Sequence, residues 1–247
     1  MIIQGEKELE ILRECGKRLA QVLEEVKQAV RPGISTKELD RIAEEGIKKA
    51  GGGPVFRGYK TRDDKHPFPA SLCVSINDEI VHGIPSEKRI LREGDIVGLD
   101  IGMRWPVGQN QKSKIKNQKY GDGLITDMAV TVPVGKISED AEKLIRVTRE
   151  SLEQGISILK AGVQFGDFGY AVQTHLEAHG LAVVRDLVGH GVGKKLHEPP
   201  YIPNFGKKGT GETLVEGQVI AIEPMAPLGD YHIIAAPDGW TLKTKDG

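Results

Sequence analysis

Glu93-Gly94-Asp95-Ile96-Val97-Gly98-Leu99-Asp100-Ile101-Gly102 decides how this 247-residue chain is read. Glu93-Gly94-Asp95 introduces the segment, and the apolar run after it predicts a strand over 96–102. Asp100 sits inside that strand, and by period two Gly98 and Gly102 share its face, small neighbours that leave room for an ion. The pattern recurs along the chain. Asp127 lies in Leu124-Ile125-Thr126-Asp127-Met128-Ala129-Val130, His190 in Leu187-Val188-Gly189-His190-Gly191-Val192-Gly193, Glu223 in Val219-Ile220-Ala221-Ile222-Glu223-Pro224, and His82 in Ile80-Val81-His82-Gly83-Ile84-Pro85. One carboxylate buried without a partner is costly, and three are more so. A bound cation is the simplest way to make them tolerable.

A single Asp at a strand end is better read as a residue bonded to backbone amides. Two on neighbouring strands shift that balance, because oxygen-rich sites take several carboxylates. Asp122, in the turn signal Asp122-Gly123, is assigned to the turn. The glycines around His190 let the backbone pass close to a ligand, and His197 follows with Glu198-Pro199-Pro200.

Composition bounds the class. Hydrophobic residues are 38% and charged residues 28%, and the net charge is -1, so the whole chain shows no nucleic-acid footprint. The two cysteines, Cys15 in a helical pattern and Cys73 in a strand pattern, suggest reduced thiols and a cytoplasmic location. The N-terminal residues lack a signal peptide's basic start and apolar core, and no apolar run approaches a membrane span.

Apolar spacing predicts helices over about 6–30, 35–50, 139–160 and 166–179. Arg31-Pro32-Gly33 stops the first, and Ser35 with Glu38 caps the second. Strands are predicted at 72–76, 79–82, 96–102, 124–132, 181–188, 219–223, 231–235 and 240–243. Residues 23–51 align without a gap on 152–180, placing Gly33 on Gly162, Glu38 on Asp167 and Gly51 on Gly180. Any two amphipathic helix pairs look somewhat alike, but a repeat of this kind predicts two related halves. A site could form where their strands meet.

Taken together, Ser71 to Pro85, Gly94 to Gly102, Thr126-Asp127-Met128-Ala129, Gly189 to Gly193 with His197-Glu198-Pro199-Pro200, and Ile222-Glu223-Pro224-Met225 resemble the methionine aminopeptidase family, in its type I, bacterial-like form. The resemblance implies an α+β "pita-bread" fold: two pseudo-symmetric halves, a curved antiparallel sheet and helices on its outer face. It implies one catalytic peptidase domain over 1–247, with halves at about 6–135 and 136–247. It implies two divalent ions (Co, Mn, Fe or Zn) held by Asp100, Asp127, His190 and Glu223, with Asp127 bridging. The activity implied is removal of the N-terminal methionine from nascent proteins by a water the ions activate. Glu223 would shuttle its proton, His197 would hydrogen-bond the carbonyl oxygen and His82 would contact the scissile nitrogen. Tyr59, Phe68, Cys73, Leu196 and Trp240 would line the methionine pocket; each singly is read as well as ordinary core. A monomer acting on nascent polypeptides is the expected working form.

The chain departs from the family in three places. Lys60 to Pro67 adds length near the expected pocket and reads as a surface insertion. The stretch between Asp100 and Asp127 carries extra residues at about 104–122, including the polar, basic Gln109 to Lys119. A solvated loop is its first reading, and contact with ribosomal RNA near the peptide exit its second. Finally, Lys245-Asp246-Gly247 reads as a turn whose return strand, with a second bridging glutamate, is not in the sequence. That predicts little activity from these residues alone, an apparent C-terminal truncation, and an exposed sheet edge. The alternatives are an Xaa-Pro aminopeptidase or prolidase on the same fold, and a catalytically weakened binding homologue.

Overall fold

The computed structural model describes residues 1–107 and 123–246. The basic stretch Gln109 to Lys119 and Asp122 therefore lie outside the described residues. The chain opens with two helices, α1 (Glu6–Ala29) and α2 (Thr36–Lys49). The strands β1 (Gly53–Pro54), β2 (Leu72–Ile76), β3 (Glu79–Val81), β4 (Ile96–Trp105) and β5 (Leu124–Pro133) follow. A second helix pair, α3 (Glu139–Ile158) and α4 (Phe165–Ala178), leads into β6 (Val188–Gly191), β7 (Glu198–Pro203), β8 (Ile220–Ala221), β9 (Ile233–Ala235) and β10 (Leu242–Thr244).

The predicted repeat is present in the backbone. One constant shift in numbering carries the last residue of α1, Ala29, onto Ile158 at the end of α3, and carries Thr36–Lys49 onto Phe165–Ala178. The turn glycines match too: Gly33 has φ 87° and Gly162 93°, and Gly51 has 76° and Gly180 74°. These left-handed positions are where glycine carries no Cβ penalty. Each first turn docks on its own half in the same way. The Gly33 amide donates to the Leu91 carbonyl at 2.8 Å, and the Gly162 amide to the Leu214 carbonyl at 2.8 Å. Ser35 caps α2 as expected, its side chain accepting from the Glu38 amide at 3.1 Å.

All the strand pairs are antiparallel, in three hydrogen-bonded groups among the described residues. β4 lies between β2 and β5 with β1 also on it, β10 lies between β3 and β9, and β6 lies between β7 and β8. Alternation along β4 separates its faces. Val97, Leu99, Ile101 and Met103 turn into a core with Leu19, Val22, Leu39 and Ile47 of the first helix pair. Asp100 is on the other face. A second core gathers Val147, Phe168, Val172 and Leu176 with Ile202 of β7. Helices on the outside of antiparallel strands, in two matching halves, make this the α+β pita-bread fold.

Three sequence readings need correction. Residues 181–187 form no strand; Ala182 and Val184 instead donate to the carbonyls of Pro227 and Met225, an isolated pair of contacts. Glu198–Pro203 forms the strand β7, absent from the sequence reading, even though Pro199 and Pro200 disfavour a strand. β10 is paired on both sides, so the edge expected there belongs to β3 and β9 instead.

Candidate metal centre and active site

Strand register brings the acids together. Asp100 stands opposite Cys73 of β2 and Ala129 of β5, and Asp127 stands opposite Gly102. The two carboxylates are therefore diagonal neighbours on one face, close enough for long side chains to meet. His190 occupies the middle of β6, opposite Tyr201 and Ala221. Glu223 lies two residues beyond the end of β8, and Asn204 anchors its backbone, the side-chain amide donating to the Glu223 carbonyl at 2.9 Å.

His190 joins the halves. Its Nδ1 lies 2.9 Å from the Gly191 carbonyl oxygen and donates to it. That leaves Nε2 facing Asp127 Oδ2 at 3.6 Å and Glu223 Oε1 at 3.3 Å. A backbone carbonyl fixing one ring nitrogen so that the other is free is the usual arrangement of a metal-binding histidine. Asp127 Oδ1 is buried and has no hydrogen-bond partner. A buried carboxylate oxygen left this way normally has a partner, and a cation is one that the surrounding donors could share. Two aspartates, a glutamate and an imidazole suit a divalent ion of the first transition row.

The electrostatics agree. Burial, then the charges of Asp127 and Glu223, push Asp100 well above the usual carboxylate range. Burial and the charge of Asp127 push Glu223 up to about 7. Burial pulls the His190 imidazole down, but its bonds to Asp127 and Gly191 and the charges of Glu223 and Asp127 outweigh that and raise it. Such a set of mutually strained acids is what a bound cation relieves.

The glycine reading is corrected here. A Cβ on Gly191 would fall 2.3 Å from the Pro199 carbonyl oxygen, and one on Gly189 would fall 2.5 Å from that of Ala221. Glycine flanks His190 because β7 and β8 close in on β6, not because a ligand passes. Gly102 likewise makes way for Val55 and Phe56, whose atoms would lie 2.6 and 2.7 Å from a Cβ there. A Cβ on Gly98 would clash with nothing, lying 3.6 Å from Ser75 Cβ, but it would fill the place beside the strand rather than leave it open.

His197 lies at the rim, its ring edge-on to His190 with centroids 4.4 Å apart. Tyr59 Oη sits 2.6 Å from His197 Nδ1. This contact was not foreseen, since Tyr59 was read as a pocket wall. A phenol near an imidazole in three dimensions leaves no trace in residues so far apart in sequence. Burial pulls the His197 imidazole down to about 4, so near neutral pH the ring is uncharged. His82 follows β3 in the left-handed region, φ 59°, unusual for a residue with a side chain and frequent at functional positions. Burial lowers its imidazole too. Its ring stands edge-on to Trp240 at 5.9 Å.

Tyr59, Phe68, Cys73, Leu196 and Trp240 do meet, in a third apolar cluster apart from both helix-covered cores. Phe68 and Trp240 pack edge to face at 5.3 Å. The 60–67 segment is more than a surface insertion. His66 receives the Trp240 indole N–H on its carbonyl at 3.1 Å, and its own Nε2 contacts the Asp238 carbonyl at 2.9 Å. A cleft of about 290 Å³ between β2–β5 and α3 also has Asp100 and Glu223 in its lining.

The sequence model of metallopeptidase family M24 matches residues 10–110 and 117–244. The chain belongs to metallopeptidase family M24. Its break falls within the polar stretch between β4 and β5. A methionine aminopeptidase from Clostridium perfringens is 44% identical over 247 residues, covering 100% of this chain and 90% of the relative. Among solved M24 structures, the methionine aminopeptidase of Thermotoga maritima superposes with a TM-score of 0.88 at 40% identity, covering 100% of this chain and 90% of that one. An Xaa-Pro dipeptidase from Bacillus anthracis superposes at 0.69 with 21% identity and 57% of its length covered, a likeness of fold alone. No helix among the described residues is long and apolar enough to cross a membrane.

Proposed function

We infer that this M24 chain is a metal-dependent aminopeptidase that hydrolyses the peptide bond after an N-terminal methionine. The observation that carries the reading is the Asp127 carboxylate: one oxygen buried without a partner, the other 3.6 Å from the His190 Nε2. Similarity to methionine aminopeptidases over the whole chain supports the substrate class.

Asp100, Asp127, His190 and Glu223 would hold two divalent ions of Co, Mn, Fe or Zn type. When bound, these ions supply a water acidic enough to serve as nucleophile near neutral pH. Glu223, whose Oε1 lies 3.3 Å from His190 Nε2, would take a proton and pass it to the departing amine. His197 is uncharged, and with Tyr59 Oη donating to its Nδ1, its Nε2–H is left to donate to the carbonyl oxygen as charge builds there. His82, neutral beside Trp240, meets the scissile nitrogen. Tyr59, Phe68, Cys73, Leu196 and Trp240 receive the methionine side chain, with polarizable and aromatic walls suited to a thioether.

Both halves, about 6–135 and 136–247, act as one catalytic domain, because each gives part of the ligand set. The working protein is a cytoplasmic monomer acting on nascent chains, with the segment between β4 and β5 read first as a solvated loop and second as a contact with the ribosome. The test is turnover of Met-Ala-Ser against Xaa-Pro peptides, with added divalent metal and after chelation. Metal-dependent release of methionine alone supports the reading. Preference for Xaa-Pro bonds, or turnover that survives chelation, overturns it.

A further inference from the structure

We propose that Glu150, His175 and His179 form a second divalent-cation site, of the zinc type, on the outer helices and separate from the carboxylate cluster at the seam. His175 and His179 are one turn apart on α4, so both rings project from one face of the helix. Glu150 projects from α3, which packs against it. One ligand atom from each of the three, taken together, lies within 4.8 Å of the others. The His175 and His179 ring centroids are 4.6 Å apart, tilted by 39°.

Three details favour a metal over a plain hydrogen-bonded pair. First, His179 Nδ1 lies 2.8 Å from the His175 carbonyl and donates to it, which fixes the tautomer and leaves Nε2 as the free lone pair. Second, His175 Nε2 and Glu150 Oε2 are 3.4 Å apart, long for a charge-assisted hydrogen bond. That spacing is close to the ~3.3 Å between two ligands at tetrahedral zinc distances. Third, His179 is the C-cap of α4, so a cation there meets the negative end of the helix dipole. Arg146 Nη1 holds the other Glu150 oxygen at 2.9 Å, which orients the carboxylate from outside. Its guanidinium is exposed, and solvent screens its repulsion of a nearby ion.

Two imidazoles and one carboxylate make a His₂Glu set, with water completing a tetrahedron. A metal there would bind α3 to α4 at their packed faces and hold the second helix pair together. Glu150, His175 and His179 do not line the cleft that reaches Asp100 and Glu223, so the ion has a stabilising role, not one in hydrolysis.

The experiment uses the whole chain, stripped with a chelator and titrated with Zn²⁺ against a chromophoric competitor. Unaltered protein should take up one more equivalent than His179→Ala or Glu150→Gln, while all three release methionine at equal rates once the seam is loaded. The loss of one ligand should weaken zinc at this site by more than ~10-fold, the least that disturbing an outer partner does. Nitrogen NMR of the unaltered chain, which needs no variant to fold, should show the Nε2 signals of His175 and His179 moving on zinc addition. Equal zinc uptake by all three proteins, or histidine signals that zinc does not move, overturns the proposal.

Discussion

Tyr59 Oη stands 2.6 Å from His197 Nδ1, and the two rings meet edge to face with centroids 5.1 Å apart. With the phenol as donor, the imidazole proton is confined to Nε2, where an oxygen gaining charge would need it. Tyr59 is then a positioning residue as well as a wall. Tyr59→Phe keeps the ring and removes the bond, and kcat for Met-Ala-Ser should drop about 10-fold with KM nearly unchanged; His197→Ala should lose about 10²–10³. A raised KM with unchanged kcat would return Tyr59 to a packing role.

The metal-free protein holds Asp100 against Asp127 and Glu223 in a desolvated place. Asp100→Asn keeps nearly the same volume and removes the cost of holding a carboxyl there, whether as a buried charge or as a retained proton. In chelator its Tm should rise by roughly 2–4 °C, about what 1 kcal/mol gives a chain of this size. With divalent metal the order should reverse, because the variant has lost a ligand. Differential scanning calorimetry in the two buffers checks both signs.

Glu223, ordinarily near 4.5, sits at about 7 in the fold. Between those values the folded chain keeps a proton that the unfolded chain has released, so this residue's contribution to stability falls as pH rises through the window. His197, lowered to about 4, has the opposite slope between about 4 and its ordinary 6.5. Comparison with Glu223→Gln isolates the first effect. In chelator, the Tm of the variant minus that of the parent should grow more positive from pH 4.5 to 7. A difference that is flat or shrinks over that range would show that Glu223 is not held up.

Gly191→Ala should be costly without any ligand present, since its methyl would press on the Pro199 carbonyl at 2.3 Å. Backbone cannot give way as a flexible side chain does, and about 1–3 kcal/mol is expected from such overpacking. Urea unfolding of metal-free protein measures it. If the loss appears only in metal uptake and not in stability, the glycine serves the ligand after all.

Much of this was legible beforehand, for identifiable reasons. Helix ends were readable because Arg31-Pro32-Gly33 and Gly51 punctuate one pair while Gly162 and Gly180 punctuate the other. Asp100 and Asp127 stood out because period-two alternation put polar groups where apolar ones prevail. The rest depends on long-range packing. The prolines of β7 hide a strand that exists because β6 is there to pair with it. The glycines beside His190 owe their identity to neighbouring backbones that the local sequence does not show. Tyr59 finds His197, and Trp240 finds His66, across separations that no local pattern encodes.

The matched turns at Gly33 and Gly162, each docked on a leucine of its own half, bear on how metal and architecture are coupled. The first half gives the seam only aspartates; the second gives it an imidazole and a glutamate. Neither makes a complete coordination sphere alone. A cation held at the seam would take ligands from both halves, so its removal should lower the stability of the two together rather than of one alone.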